Sequence, residues 1–280
     1  MMKTLKTTFL LTALTLLLLG LGQAFGGARG MTLALVFAVL MNGTAYFFSD
    51  KIALASSGAV PISREQAPRL YAVMERLAGK ANLPMPKLFL IPQAAPNAFA
   101  TGRNPSHASV AVTQGLLELM NDDELEGVIA HELSHVRNYD ILTSSIAATL
   151  AGAITWIARL GFWFGGRGDD RERGGGLMAL LMLILAPIAA ILLQLGISRQ
   201  REYQADASGA QMVGHPYGLI SALDKLGAYN KKIPMDIPST TSALMIVQPL
   251  TAGELFSSLF STHPPLSDRI AALRQMTVTR

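Results

Sequence analysis

The sequence predicts a mainly α-helical, multi-pass membrane protein with a small β-sheet. Three observations predict it. Half of the 280 residues are apolar and only 15% are charged, against about 25% in soluble domains. The missing charge is concentrated in four apolar runs, each long enough as a helix to approach the ~30 Å hydrocarbon layer. Between the second and third runs, short β-like segments lead into a helical pattern that carries two histidines. The expected division is an N-terminal transmembrane hairpin over 1–50, a first soluble part over 51–140, a second apolar hairpin over 141–197 and a second soluble part over 198–280.

The first apolar run covers about Thr8–Phe25 and the second about Met31–Phe48. Only Gly26-Gly27-Ala28-Arg29-Gly30 separates them, so they form a tight hairpin. A cleaved signal peptide competes for the first run, which has Lys3 and Lys6 ahead of it and small residues near Gly22. The second run, which follows at once, favours the hairpin. Lys3, Lys6 and Lys51 flank the hairpin on one side, while its loop holds Arg29 alone. Basic residues favour the cytoplasmic side, which places the N-terminus and the chain after Phe48 there.

Ser63 with Gln66 resembles a capping box, followed by Leu70, Tyr71, Met74, Leu77 and Ala78 at helical spacing. Pro84 and Pro86 break that helix. Leu88–Ile91, 97–101 and 109–113 read as strands, with the turn Gly102-Arg103-Asn104-Pro105 between the last two. Asn121 with Glu124 starts a helix that runs past His135, with room to continue into the third apolar run. That run covers about Ile141–Phe164, and the fourth covers Leu177–Ile197. A membrane hairpin fits their length and apolarity, with a buried core pair as the alternative. Arg167, Arg171 and Arg173 in the loop between them oppose the orientation set by the first hairpin. Leu219, Leu223 and Leu226 mark another helix, and Ile270–Leu273 the end of a last one. Residues 228–262 read as loops near the functional site.

Residues 131–135 are His-Glu-Leu-Ser-His. Positions i and i+4 share one helix face, so His131 and His135 can offer two imidazole nitrogens to one divalent ion. Glu132 lies beside them as a general base. There is no cysteine, so thiolate sites and disulfides are excluded and any metal is held by His, Asp or Glu. A catalytic zinc keeps three protein ligands and one open position. Glu202 and Asp206 share a face of a second helical segment. Glu202 can bind the metal, and Asp206 can accept the other N–H of a ligand histidine. Five-residue patterns also arise by chance, and acids beside Arg199 and Arg201 can be a solvated face. The two motifs therefore support each other only together. The net charge of +4 comes without a basic, aromatic-interleaved cluster, which argues against a nucleic-acid partner.

Together these motifs resemble the gluzincins, and within them the HtpX group of bacterial membrane proteases, relatives of the CAAX prenyl proteases. The resemblance includes 96–102, His131–Asn138, 201–206 and 262–269, and spans nearly the whole chain. It implies a zincin-like metalloprotease domain with one Zn2+ bound by His131, His135 and Glu202. Glu132 would be the catalytic base and Asp206 the orienter of His131. Asn97 and Ala98 would lie on an edge strand that pairs with extended substrate. His263 would stabilise the oxyanion, and Arg269 would assist it or brace its segment. The implied partners are the lipid bilayer and polypeptides, chiefly misfolded or damaged membrane proteins cut at cytoplasmic regions in a stress response. The implied location is the bacterial inner membrane, with the site facing the cytoplasm. Two rivals remain at this point. A prenyl-protein processing protease needs a larger intramembrane chamber than four spans comfortably build. A zinc-stabilised membrane scaffold would close the fourth metal position with a protein ligand.

Overall fold

A computed structural model of the chain describes residues 2–165, 188, 191, 198–230, 232–249 and 263–276. It is mainly helical with one four-stranded mixed sheet, as expected. The fourth apolar run lies outside the described residues apart from 188 and 191.

The first two apolar runs form α1 (Met2–Ser56), which is helical on both sides of Gly27 and reverses there at φ 56°. The two arms pack closely at Gly22, where an added Cβ would fall 2.6 Å from the Gly30 carbonyl oxygen. Asn42 reaches across and donates to the Thr15 hydroxyl at 2.8 Å. Two windows of α1, Thr7–Ala24 and Gly26–Ser56, are long and apolar enough to cross a membrane. Leu33, Leu40 and Leu16 are each more than 60% exposed. An apolar hairpin with an open apolar surface is what a bilayer covers, whereas a soluble core helix would bury it.

Helix α2 (Pro68–Lys80) buries Leu70, Val73, Met74, Leu77 and Ala78. Its start corrects the expected capping box. The Ser63 N–H donates to Gln66 Oε1 at 2.9 Å, but within a turn. Pro68 disfavours helical geometry at the residue before it, so Ala67 sits at φ −139° and the helix begins at Pro68.

The sheet runs β1 (Val60–Pro61), β2 (Lys87–Ile91), β4 (Ala108–Thr113), β3 (Ala98–Gly102) in spatial order. β2 and β4 are parallel, and the other pairs are antiparallel. Alternate residues point to opposite faces. Leu88, Val110, Val112, Ala98 and Ala100 meet the helices α2, α4 (Asp122–Arg137) and α7 (Tyr217–Asn230). Ile91, Phe99 and Ala111 meet the end of α1 and residues 235–245. Both faces are covered, and β3 lies at the sheet's edge.

A short α3 (Gln114–Leu119) leads to α4, the central helix. The expected capping box forms: the Asn121 side chain accepts from the Glu124 N–H and Glu124 accepts from the Asn121 N–H, both at 2.9 Å. Leu125, Val128, Ile129, Leu133 and Val136 are fully buried. The helix does not run on into the third apolar run. Tyr139 takes φ 61° and breaks it, before α5 (Asp140–Gly165) begins. α5 packs Ile146, Leu150 and Ala151 against α1, and the Thr7 and Thr143 hydroxyls share a 2.9 Å hydrogen bond between them. α6 (Arg199–Val213) lies along α4. After α7 come a one-turn α8 (Ser239–Ser242) and α9 (Leu266–Arg274).

Candidate active site

The site forms where α4 and α6 touch. Gly209 permits the approach, since a Cβ there would fall 3.0 Å from the His131 backbone nitrogen. One turn apart on α4, His131 and His135 turn their Nε2 atoms toward each other at 3.2 Å. Glu202 of α6 completes the group, with Oε1 3.5 Å from His135 Nε2 and Oε2 3.8 Å from His131 Nε2. One ligand atom from each residue lies within 4.8 Å of the others.

These separations fit a single zinc ion. Tetrahedral ligands at ~2.0–2.1 Å from zinc stand about 3.3 Å apart. Glu202 Oε1 faces the His135 imidazole, while Oε2 is ion-paired with His263 Nδ1 at 3.1 Å and Arg269 Nη1 at 3.7 Å. His131, His135 and Glu202 are the residues that can hold the metal.

A network of charges orients them. His131 Nδ1 lies 2.9 Å from Asp206 Oδ1. Burial pushes the His131 imidazole down to about 4, against the pull of Asp206, so it is neutral with its Nδ1–H on the carboxylate. Its Nε2 lone pair then points into the site. Burial favours a protonated Asp206, but the Arg269 guanidinium overrides this and holds it below its ordinary value. Burial likewise opposes charge on His135, yet Asp140, Glu202 and Glu132 hold it up at about 9. Glu202 stays well below the usual carboxylate range despite burial, through His263, His135 and Arg269. Glu132 is 2% exposed. Burial pushes it up to about 7, against the pull of His135, and the Glu202 charge adds to the rise.

The cavity beside the histidines is lined by Glu132, His135, Glu202, His263, Ala100 and Leu244, among others. His263 places Nδ1 3.1 Å from Glu202 Oε2 and hydrogen-bonds the Ala243 carbonyl through Nε2 at 3.2 Å. Arg269 is fully buried and binds Asp206 and the Ile246 carbonyl. Its Nη1 lies 3.7 Å from Glu202 Oε2. Asn97 and Ala98 are at the sheet edge but fully buried. The Ala98 carbonyl accepts from the Ile246 N–H at 2.9 Å, and the Asn97 amide donates to the Val247 carbonyl at 2.7 Å.

One residue escaped the reading of the sequence. Asp140 places Oδ2 3.6 Å from His135 Nδ1, behind the second imidazole as Asp206 is behind the first. Its position at the head of an apolar run made it look like a boundary. The polar break Asn138-Tyr139-Asp140 directly after the metal helix was the available signal.

The model of peptidase family M48 matches residues 64–277. The chain belongs to this family. Among similar proteins, a protease HtpX homologue of Desulfatibacillum aliphaticivorans is 56% identical over 274 residues, covering 96% of this chain and 88% of the relative. Another, from Salinibacter ruber, is 50% identical over 276 residues, covering 98% of each. The crystal structure of S. mikatae Ste24p matches with a TM-score of 0.53 and 20% identity, over 98% of this chain and 65% of that one, and shows the fold alone. The chain is thus an HtpX-type M48 metalloprotease, a hydrolase of peptide bonds.

Proposed function

We propose that this M48 protease is a zinc endopeptidase anchored in the bacterial inner membrane, with its site at the cytoplasmic face. The observation that carries the reading is the convergence of His131 Nε2, His135 Nε2 and Glu202 within 4.8 Å, with Glu132 lining the same cavity. Zinc held by His131, His135 and Glu202 would supply an acidified water nucleophile and polarise the scissile carbonyl. Glu132, which lines the same cavity, takes the proton from the attacking water and delivers it to the leaving amine. Asp206 fixes the tautomer of His131. His263 lines the cavity, and on release from the Ala243 carbonyl its Nε2–H can turn to the developing oxyanion. Arg269 braces Asp206. Substrate is placed as an added strand along the edge of β3, where main-chain hydrogen bonds accept many sequences, with Ala98 and the Asn97 side chain, bonded here to Ile246 and Val247, at one end of that edge.

The exposed apolar hairpin of α1 anchors the chain; the second apolar region, 141–197, much of which lies outside the described residues, is long and apolar enough in sequence for a further pair of spans. Lys3, Lys6 and Lys51 set the soluble parts in the cytoplasm. A peptidase held there meets misfolded or damaged membrane proteins through their cytoplasmic regions, in quality control under stress. Purified protein with zinc is expected to cleave casein, and Glu132→Gln to leave it intact. Equal cleavage by the two would defeat the assignment.

A further inference from the structure

A ligand imidazole has two nitrogens, and the partner of one fixes how the other meets a metal. His135 turns Nε2 to His131 Nε2 at 3.2 Å and to Glu202 Oε1 at 3.5 Å. Its Nδ1 faces the other way, and Asp140 Oδ2 stands there at 3.6 Å. Asp140 is buried. Its second oxygen, Oδ1, lies 3.5 Å from Arg201 Nη1, and Arg201 directly precedes the third ligand on α6. One buried carboxylate thus spans the second histidine and the helical turn that carries Glu202. An unbroken helix could not place it so. At about 100° per residue, a residue five positions after His135 stands about 140° round the helix from it. The backbone turns instead. α4 ends at Arg137, Tyr139 takes φ 61°, and α5 opens at Asp140. Left-handed geometry disfavours a residue with a side chain, and the Tyr139 side chain, half exposed, gains little by it. What the break achieves is the placing of Asp140 behind His135.

We propose that Asp140 is a positioning residue for the metal: steadied by Arg201, it holds His135 with Nε2 presented to the ion. The inference rests on the zinc-peptidase reading above. His131 and His135 are then each backed by a carboxylate, Asp206 from α6 and Asp140 from α5. Each carboxylate is in turn paired with an arginine, Arg269 and Arg201. Both rings are fixed from outside, so the metal position is set by the protein and not by the ion. A purely structural Asp140 would instead be an acid in the first turn of α5, stabilised by the positive end of that helix. Asp122 fills that plainer role on α4. It lies in the first turn, pairs with Arg69 and is exposed. It stands nine residues before His131, about 13 Å along the helix.

Zinc affinity is measured by chelator competition on the full-length protein in detergent. Cobalt(II) in place of zinc reports the geometry through its visible bands. Asp140→Asn keeps the shape but removes the charge. It is expected to weaken zinc binding about tenfold or more and to shift the cobalt bands. Asp140→Glu keeps the charge and reaches one methylene further across the 3.6 Å gap, so it is expected to recover most of the affinity. Asp122→Asn is expected to lower Tm while affinity and bands stay as in the wild type. Should Asp140→Asn fail to fold, Arg201→Gln decides by the same cobalt bands, which are expected to shift. Wild-type affinity and bands in Asp140→Asn, wild-type bands in its substitute, or an equal loss of affinity in Asp122→Asn overturns the proposal. Neither readout needs turnover. If Asp140→Asn binds zinc normally while casein is cleaved by the wild type and spared by Glu132→Gln, the positioning role falls and the peptidase stands. Equal cleavage by those two would instead remove the peptidase reading.

Discussion

Arg269 closes a two-point ion pair on Asp206, with Nε 2.8 Å from one carboxylate oxygen and Nη2 2.6 Å from the other. Both groups are buried, and Asp206 in turn holds His131 at 2.9 Å. Charge on α9, the last described helix, is thereby relayed to the His131 imidazole on α4. Arg269 and Asp206 are bound too closely to act alone. A buried carboxylate that loses its only guanidinium pays the cost of an unpaired charge.

Arg269→Ala should therefore cost about 3–5 kcal/mol of stability. Asp206→Asn keeps the shape but weakens the hold on His131, and zinc affinity should fall about 10- to 100-fold. Thermal unfolding and chelator competition on the two variants check this. An unchanged zinc affinity in Asp206→Asn would show that Asp206 serves the fold and not the metal.

Gly209→Ala should loosen the metal site without touching a ligand. The new Cβ would press on the backbone of α4 at His131 from 3.0 Å. Backbone does not yield as a side-chain tip does, so the helices should part slightly, at about 1–3 kcal/mol. Glu202 moves with α6, and zinc affinity should fall alongside stability. A normal affinity in a destabilised variant would contradict the coupling.

Zinc uptake should depend on pH with a definite sign. His135 is held up at about 9 in the metal-free protein, above the ~6.5 of an unfolded chain. Its stabilising contribution is complete below about 6.5 and is lost as pH rises through about 9. A metal on Nε2 must displace that proton. Zinc affinity should therefore rise by up to about tenfold per pH unit between 7 and 9. Chelator competition at stepped pH reads it, and a flat profile over that range would contradict a metal-site role for His135.

Glu132→Gln should lower kcat by about 10²- to 10⁴-fold while zinc content stays at one per chain, since the amide cannot carry the proton. Loss of zinc with the activity would point to a ligand role for Glu132 instead.

The metal site was largely legible because its signals are local. His131 and His135 are one helical turn apart, Glu202 and Asp206 are another, and the Asn121–Glu124 cap announces the helix. Burial of α2 and the alternation in the strands were legible for the same reason. What was not legible depends on a single backbone angle or on distant contacts. Pro68 moved the start of α2 by overriding Ser63 and Gln66. Tyr139, at φ 61°, stopped a helix whose apolar pattern had no reason to stop. The seating of Ile246 on Ala98 joins residues 148 positions apart, and no periodicity announces it. Arg269 read as an assistant to His263 or a brace of its segment, because a fully buried arginine is legible only once its carboxylate is seen.

The most direct measurement is the zinc coordination shell of the purified protein, from X-ray absorption on the wild type and Glu202→Ala and an anomalous difference map from zinc-containing crystals. The account predicts one zinc per chain with His131 and His135 nitrogens and a Glu202 oxygen at about 2.0–2.2 Å, and loss of the oxygen in Glu202→Ala. A zinc bound elsewhere, or a shell unchanged by removing Glu202, would contradict it.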